Sequence, residues 1–260
     1  MNQLNVNLPE LPYAVSEAMN RLRINIKFCG KNTRKILLTS CQPNEGKSTI
    51  SSYLWKMLAE AGFPTVLVDV DLRKSVMKTR FQMDYDDDTT MGLNHYLSGM
   101  AEYEDVVYST NIPNGYMVPC TQLLENPSAL LEDVRFKELL NTLSENYRFV
   151  IIDSPPLGSV ADGALIASLC DGAVLVVRAG TTPRTLIKQS LYEIQQSGCK
   201  LLGTVLNRAD VKGRAYGKYG YGKYGYGYGY GYGYGDDYKE VSYRKRIKLF
   251  FRSLAHKVKR

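Results

Sequence analysis

The chain has 260 residues, 44% of them hydrophobic, and a formal charge of +7, which leaves room for one sizeable α/β domain plus appendages. Residues 239–260 hold nine Lys or Arg against one Glu, residues 211–237 hold four against two Asp, and the remainder is mildly acidic, so the basicity is terminal and nucleic acid is not an expected partner. Five scattered cysteines, no CxxC pair and only two histidines argue against a zinc site or disulfide frame and for reduced thiols in a cytoplasmic protein. The polar start, Met1 to Pro12, has no signal-peptide pattern, and no run of roughly 18 apolar residues offers a membrane span.

Residues 14–28, AVSEAMNRLRINIKF, place Ala14, Ala18, Leu22 and Ile26 at four-residue steps with charges between them, which predicts an amphipathic helix. Apolar, β-rich runs follow at 35–40 (KILLTS), 65–70 (TVLVDV), 149–153 (FVIID), 172–177 (GAVLVV) and 201–207 (LLGTVLN). Helical stretches are expected at 48–61, 127–145, 161–169 and 183–197. Continuous apolar runs suit strands buried on both faces, so the fold class is α/β with a doubly wound, mostly parallel sheet. The acidic stretch from Asp84 to Asp88 reads as structureless. Three segments result: a globular domain over 1–210, a tyrosine-rich segment over 211–238 and a basic amphipathic end over 239–260. The middle one has almost no aliphatic side chain, cannot bury a core and is expected to be disordered.

The strongest local signal is LLTSCQPNEGKSTI (37–50), a buried strand running through a turn into a helix. It fits a Walker A phosphate loop, although Cys41 stands where the pattern has its first glycine. Asn44, Glu45, Gly46, Lys47, Ser48 and Thr49 are its candidate nucleotide contacts. Gly46 lets backbone approach phosphate, Lys47 reaches the β- and γ-phosphates, and the Ser48 hydroxyl can ligate Mg²⁺. Asp153 closes an apolar strand at the Walker B position, where a carboxylate can hold Mg²⁺ directly or through water. Asp69 and Asp71 end another strand on one face. Ser48, Asp71 and Asp153 are therefore the candidate metal ligands, and ATP with Mg²⁺ the expected cofactors. Lys47, Asp69, Asp71 and Asp153 are the candidate catalytic set, because a tyrosine hydroxyl with a reference pKa near ~10 is a poor nucleophile until a carboxylate orients or deprotonates it. Asn207 and Arg208, after the last apolar run, are candidates for the adenine side by analogy with the fold.

Those motifs in that order, followed by tyrosines, resemble the bacterial tyrosine kinases of capsule and exopolysaccharide synthesis, of the stand-alone type. VDVDLRK resembles that family's second Walker motif, A-prime, which implies Asp69 as proton acceptor and Asp71 as a further carboxylate near the metal. MGLNHYLSG, ENPSALLED and VIIDSPPLGSVAD also match its signatures and are less tied to chemistry, with ordinary scaffold as the competing reading. The stretch EAMNRLRINI resembles its E-x-x-R-x-x-R oligomerisation motif through Glu17 and Arg23, with Asn20 in place of the first arginine and Arg21 beside it. The resemblance implies a ring-like homo-oligomer, an octamer in expectation, phosphorylating tails in trans. It also implies a separate membrane-embedded polysaccharide co-polymerase as activator and a cognate tyrosine phosphatase. The family's fold is similar to that of deviant Walker, MinD-like ATPases, which supply the alternative: a partitioning or positioning switch without kinase activity. Those ATPases carry a signature lysine where this chain has Gln42.

Ten of the twenty tyrosines lie between 216 and 238. Tyr216, Tyr219, Tyr221, Tyr224, Tyr226, Tyr228, Tyr230, Tyr232, Tyr234 and Tyr238 are the candidate phosphoacceptors, nearly all spaced by glycine, which leaves each phenol on an unhindered backbone. Residues 244–260 mix Lys and Arg with Ile247, Leu249, Phe250 and Phe251. Such a mixture suits the anionic inner face of a membrane, giving an expected peripheral location, and suits a solvated basic end equally well.

Overall fold

The computed structural model describes residues 3–85, 89–158 and 162–209. The tyrosine cluster and the basic end lie outside the described residues. In chain order the elements are β1 (Gln3–Leu4), α1 (Tyr13–Lys27), β2 (Lys35–Ser40), α2 (Lys47–Glu60), β3 (Thr65–Asp69), α3 (Met77–Arg80), α4 (Leu93–Leu97) and α5 (Tyr103–Val106). They continue with β4 (Tyr108–Thr110), β5 (Gly115–Val118), α6 (Ser128–Glu132), α7 (Val134–Asn146), β6 (Phe149–Asp153), α8 (Asp162–Ser168), β7 (Gly172–Arg178), α9 (Arg184–Gln196) and β8 (Leu201–Asn207). The strands form one sheet in the order β1-β4-β5-β3-β6-β2-β7-β8. Every pairing is parallel except β4 with β5.

Alternation within the buried strands sorts side chains onto two helical layers. Ile36 and Leu38 of β2 join Leu54, Trp55 and Leu58 of α2 and Met19 and Ile26 of α1. Leu37, between them in sequence, faces the other layer with Leu139 and Leu143 of α7, Ile166 of α8 and Ile194 of α9. Both faces of β2, β3, β6 and β7 are thereby covered, which is why those runs are continuously apolar.

Four expectations are corrected. The stretch 127–145 is two helices, because Asp133 is extended (φ −66°, ψ 149°) and its side chain caps α7 through the Arg135 N–H. β8 is the edge strand and is half-exposed along its length, so its apolar composition does not mark burial on both faces. Helix α1 turns Met19 and Ile26 inward with Leu22 packed beside them, while Ala14 and Ala18 face solvent. The larger side chains bury more apolar area and set the helix rotation. Asp84, read as structureless, forms a bridge with Asn5; residues 86–88 lie outside the described residues.

Trp55, the chain's single tryptophan, is fully buried and donates from Nε1 to the Thr65 carbonyl at 3.1 Å, tying α2 to the start of β3. Trp55→Ala is expected to cost about 3–5 kcal/mol, the range for large-to-small aromatic deletions in cores. Urea denaturation followed by far-UV circular dichroism checks it, and a loss below ~1 kcal/mol would show that this layer tolerates a cavity.

Candidate active site

β2 ends at Ser40, and the chain turns through residues 41–46 before Lys47 opens α2. Gly46 takes a φ of +95° and Asn44 one of +66°. At Gly46 the left-handed backbone and the lack of a side chain are both required: a Cβ there would stand 2.1 Å from Asn207 Nδ2. That amide donates to the Glu45 carbonyl at 2.8 Å, so the end of β8 is fastened to the loop. The Glu45 side chain is buried, accepting from the Cys41 and Gln42 N–H groups at 2.7 and 3.0 Å and from the Thr182 hydroxyl. Its charge is engaged by protein donors, and it braces the loop from within. Thr49 Oγ1 accepts from Arg80 at 3.2 Å. Arg208 is exposed with a φ of +55°, and its N–H donates to Asn207 Oδ1 at 2.9 Å.

Lys47, Ser48, Asp69, Asp71 and Asp153 come together beneath the loop. Lys47 Nζ donates to Asp153 Oδ2 at 2.8 Å and to Ser48 Oγ at 3.3 Å, and lies 3.8 Å from Asp71 Oδ2. The Ser51 hydroxyl donates to the other Asp153 oxygen at 3.0 Å. β3 pairs with β6 so that Asp69 sits directly beside Asp153. The Asp69 carboxyl accepts from the Ser75 hydroxyl at one oxygen and from the Asp71 N–H at 3.3 Å at the other.

Asp69 and Asp153 are each 1% exposed. Burial, followed by the charge of Asp153, pushes Asp69 up to about 8, against the downward pull of Ser75 and Lys47. Burial also raises Asp71, with Lys47 opposing. Three carboxyl groups thus face one ammonium. Above them opens a cavity of about 170 Å³, walled by Pro43, Val76, Pro155 and Pro156, with Lys74 and Arg80 exposed at its rim.

A supporting network was not foreseen. Arg73 Nε donates to Asp162 Oδ2 at 2.8 Å, Nη1 to the Glu125 carbonyl at 2.8 Å and Nη2 to Ser128 Oγ at 3.1 Å. The Ser128 hydroxyl donates to Asp162 Oδ1 at 2.6 Å, and Asp162 is buried. These residues belong to DLRK, ENPSALLED and VIIDSPPLGSVAD; the aspartate set among small apolar neighbours, Asp162, was the available signal. Ser51, Ser75 and Thr182 were missed as well, since nothing local distinguishes them from other hydroxyls. On α1, Glu17 and Arg21 are exposed and Arg23 is half-buried.

A family model described as an AAA domain matches residues 33–195. The tyrosine-protein kinase CpsD of Streptococcus agalactiae is 42% identical over 208 residues, spanning 80% of this chain and 90% of that protein. The crystal structure of the chimerical protein CapA2B2 superposes with a TM-score of 0.71 at 33% identity, over 79% of this chain and 92% of that one. This chain belongs to the capsule-type bacterial tyrosine kinases. The septum site-determining protein MinD complexed with Mg-ADP, from Pyrococcus horikoshii, shares the fold at a TM-score of 0.56 and 25% identity over 66% of this chain and 69% of that one. The kinase is a P-loop protein-tyrosine kinase, and its fold implies a nucleotide site with a divalent metal. Its residues fit such a metal: the hard oxygen donors of Ser48, Asp71 and Asp153 gather around Lys47, so that among the described residues two carboxyl groups share one paired ammonium. Among the described residues no three His, Cys, Asp or Glu groups close on one point. Magnesium in phosphoryl-transfer sites is held by one or two carboxylates plus phosphate oxygens, so a half-formed donor set suffices. Among the described residues no helix is long and apolar enough to cross a membrane.

The raised Asp69 carboxyl has a thermodynamic consequence. Between its unfolded value of 3.8 and its folded value of about 8, the folded state holds a proton that the unfolded state has lost. Stability therefore falls as pH rises through that window, by at most about 1.4 kcal/mol per unit from this group. In nucleotide-free protein, Asp69→Asn is expected to match wild type near pH 4 and to melt a few degrees above it at pH 8. Calorimetry across that range checks it, a constant difference in melting temperature being the contrary result.

Proposed function

We propose that the kinase transfers the γ-phosphoryl group of ATP, with Mg²⁺, to tyrosines 216–238 of identical subunits and so regulates capsular or exopolysaccharide synthesis and export. The observation that carries this reading is the cluster of Asp69, Asp71 and Asp153 around Lys47 at the foot of the phosphate loop. Phosphoryl transfer asks mainly for positioning and charge neutralisation, plus an acceptor for the hydroxyl proton. Lys47 exchanges carboxylate for β- and γ-phosphate oxygens. Ser48, Asp71 and Asp153 hold the metal, which when bound neutralises phosphate charge. A divalent cation beside Asp69 would favour its ionised form over the protonated one it holds in nucleotide-free protein. As carboxylate, Asp69 takes the phenolic proton as the phenol oxygen bonds to the γ-phosphorus; the bond from that phosphorus to the β,γ-bridging oxygen breaks, and its electron pair leaves with ADP. Asn207 and Arg208 flank the adenine side.

Glu17, Arg21 and Arg23 stand on one solvent-accessible helix, which supports a ring-like homo-oligomer, an octamer in expectation, whose subunits exchange tails. The likeness to capsule kinases supports a membrane-embedded polysaccharide co-polymerase as activator and a cognate phosphatase as antagonist. The basic end, residues 244–260, supports a cytoplasmic location against an anionic membrane. Each phosphate adds about −1.5 to −2 charges, so graded modification turns neighbouring tails mutually repulsive and loosens the assembly.

Incubation of full-length protein with ATP and Mg²⁺, followed by mass spectrometry of the tail, tests the reading. Phosphotyrosine is expected, is lost in Lys47→Met, and returns when that variant is mixed with active protein lacking residues 211–260. Phosphate release without tail modification would refute it. Asp69→Asn is expected to lower kcat by about 10²–10⁴, the usual contribution of a positioned base, with ATP affinity within about threefold of wild type. A matching collapse of ATP affinity would make Asp69 a nucleotide ligand instead.

A further inference from the structure

The cavity above the carboxylates mixes chemistries. Besides the phosphate loop, its lining includes Pro43, Val76, Pro155 and Pro156, apolar side chains that suit an aromatic ring, and the exposed Lys74 and Arg80. Among the described residues neither rim side chain is in an ion pair; Arg80 donates only to the neutral Thr49 hydroxyl. Their neighbour Arg73, by contrast, is taken up by Asp162. The rim thus offers two basic groups to whatever peptide presents a tyrosine to the floor.

The tail is polarised in the complementary sense. Its first half carries Lys212, Arg214, Lys218 and Lys223, its middle is uncharged Tyr-Gly repeat, and its acidic residues are Asp236 and Asp237, between Tyr234 and Tyr238. In an extended peptide, residues two apart point to the same side at a separation of about 7 Å, within reach of a long Lys or Arg side chain. We infer that Lys74 and Arg80 read negative charge beside the acceptor tyrosine, so that phosphorylation of the tail begins at Tyr234 and Tyr238 and spreads toward Tyr216. This rests on the reading of the tail as substrate and adds an order to it.

The spread follows from the Tyr-Gly spacing. Once Tyr234 is phosphorylated, its phosphate stands two residues beyond Tyr232 and supplies the charge that Asp236 supplied to Tyr234; Tyr232 then does the same for Tyr230. Every transfer is the one already written, from ATP to phenol oxygen with ADP leaving, so each round consumes one ATP and creates the recognition element of the next. The lysines beside Tyr219 and Tyr224 oppose the basic rim and retard the last steps, whereas Lys239 beside Tyr238 is outweighed by Asp236, Asp237 and Glu240 within two residues.

Time-resolved tail mass spectrometry on full-length protein tests the order. Wild type is expected to fill Tyr234 and Tyr238 first and Tyr216 and Tyr219 last. Asp236→Asn with Asp237→Asn is expected to slow the first two sites roughly three- to tenfold, the scale of two exposed charge pairs, without changing ATP hydrolysis. Lys74→Glu with Arg80→Glu is expected to reverse the preference toward the lysine-flanked tyrosines, and to recover Tyr234 and Tyr238 when combined with Asp236→Lys and Asp237→Lys. Filling that is random, or unaltered by the aspartate changes, overturns the inference while leaving the tail as substrate. A raised KM for ATP with unchanged order overturns it by assigning the rim to nucleotide. A tail that gains no phosphate in any variant removes the substrate reading and the inference with it.

Discussion

Three carboxyl groups meet one ammonium in a buried space at the ends of β3 and β6 and the start of α2, and most of the domain is arranged around keeping them there. Burial raises the Asp69 and Asp71 carboxyls, and the charge of Asp153 adds to it. Lys47 compensates Asp153 directly and Asp71 at longer range, while Ser51 and Ser75 each satisfy one carboxylate oxygen. A buried charge cluster with incomplete compensation is unfavourable in isolation and becomes useful when phosphates and a divalent cation complete it.

Two sets of contacts hold this cluster in position. Glu45 joins three segments, through the Cys41 and Gln42 amides after β2, the Thr182 hydroxyl before α9 and, by its carbonyl, Asn207 at the end of β8. Arg73, after β3, does the same by reaching Asp162, Ser128 and the Glu125 carbonyl. Both rely on a charged group whose hydrogen-bonding capacity is met by partners from separate segments. Such groups cost little when fully paired and a great deal when one partner is lost.

The cavity that results is lined by acidic, apolar and basic side chains together, three chemistries within one small volume. A nucleotide with its metal answers the acidic groups, a phenol ring the apolar ones, and an acidic flank the basic ones. That division of labour ties the globular domain to the uneven charge of the tail.

The amino-acid sequence by itself determined the P-loop, the two strand-end acidic motifs and the tyrosine-rich composition of residues 211–238, because each is a contiguous pattern, and the geometry of the first two follows from local backbone rules. Residues 37–50 contain their own strand, turn and helix, and Asp69 closes a strand; the two-residue repeat expected to carry on to Asp71 stops there, because β3 ends at Asp69 and Asp71 lies just beyond it. Only the tertiary structure decided that β6 lies between β3 and β2, which sets Asp69 beside Asp153 and both beneath Lys47. It alone joined Arg73 to Asp162, 89 residues apart, and Asn207 to Glu45, 162 residues apart. It also made β8 an edge strand and turned Met19 of α1 inward in place of Ala14 and Ala18. Strand order and helix rotation are settled by competition among whole apolar surfaces for burial, and no short stretch of sequence contains that competition.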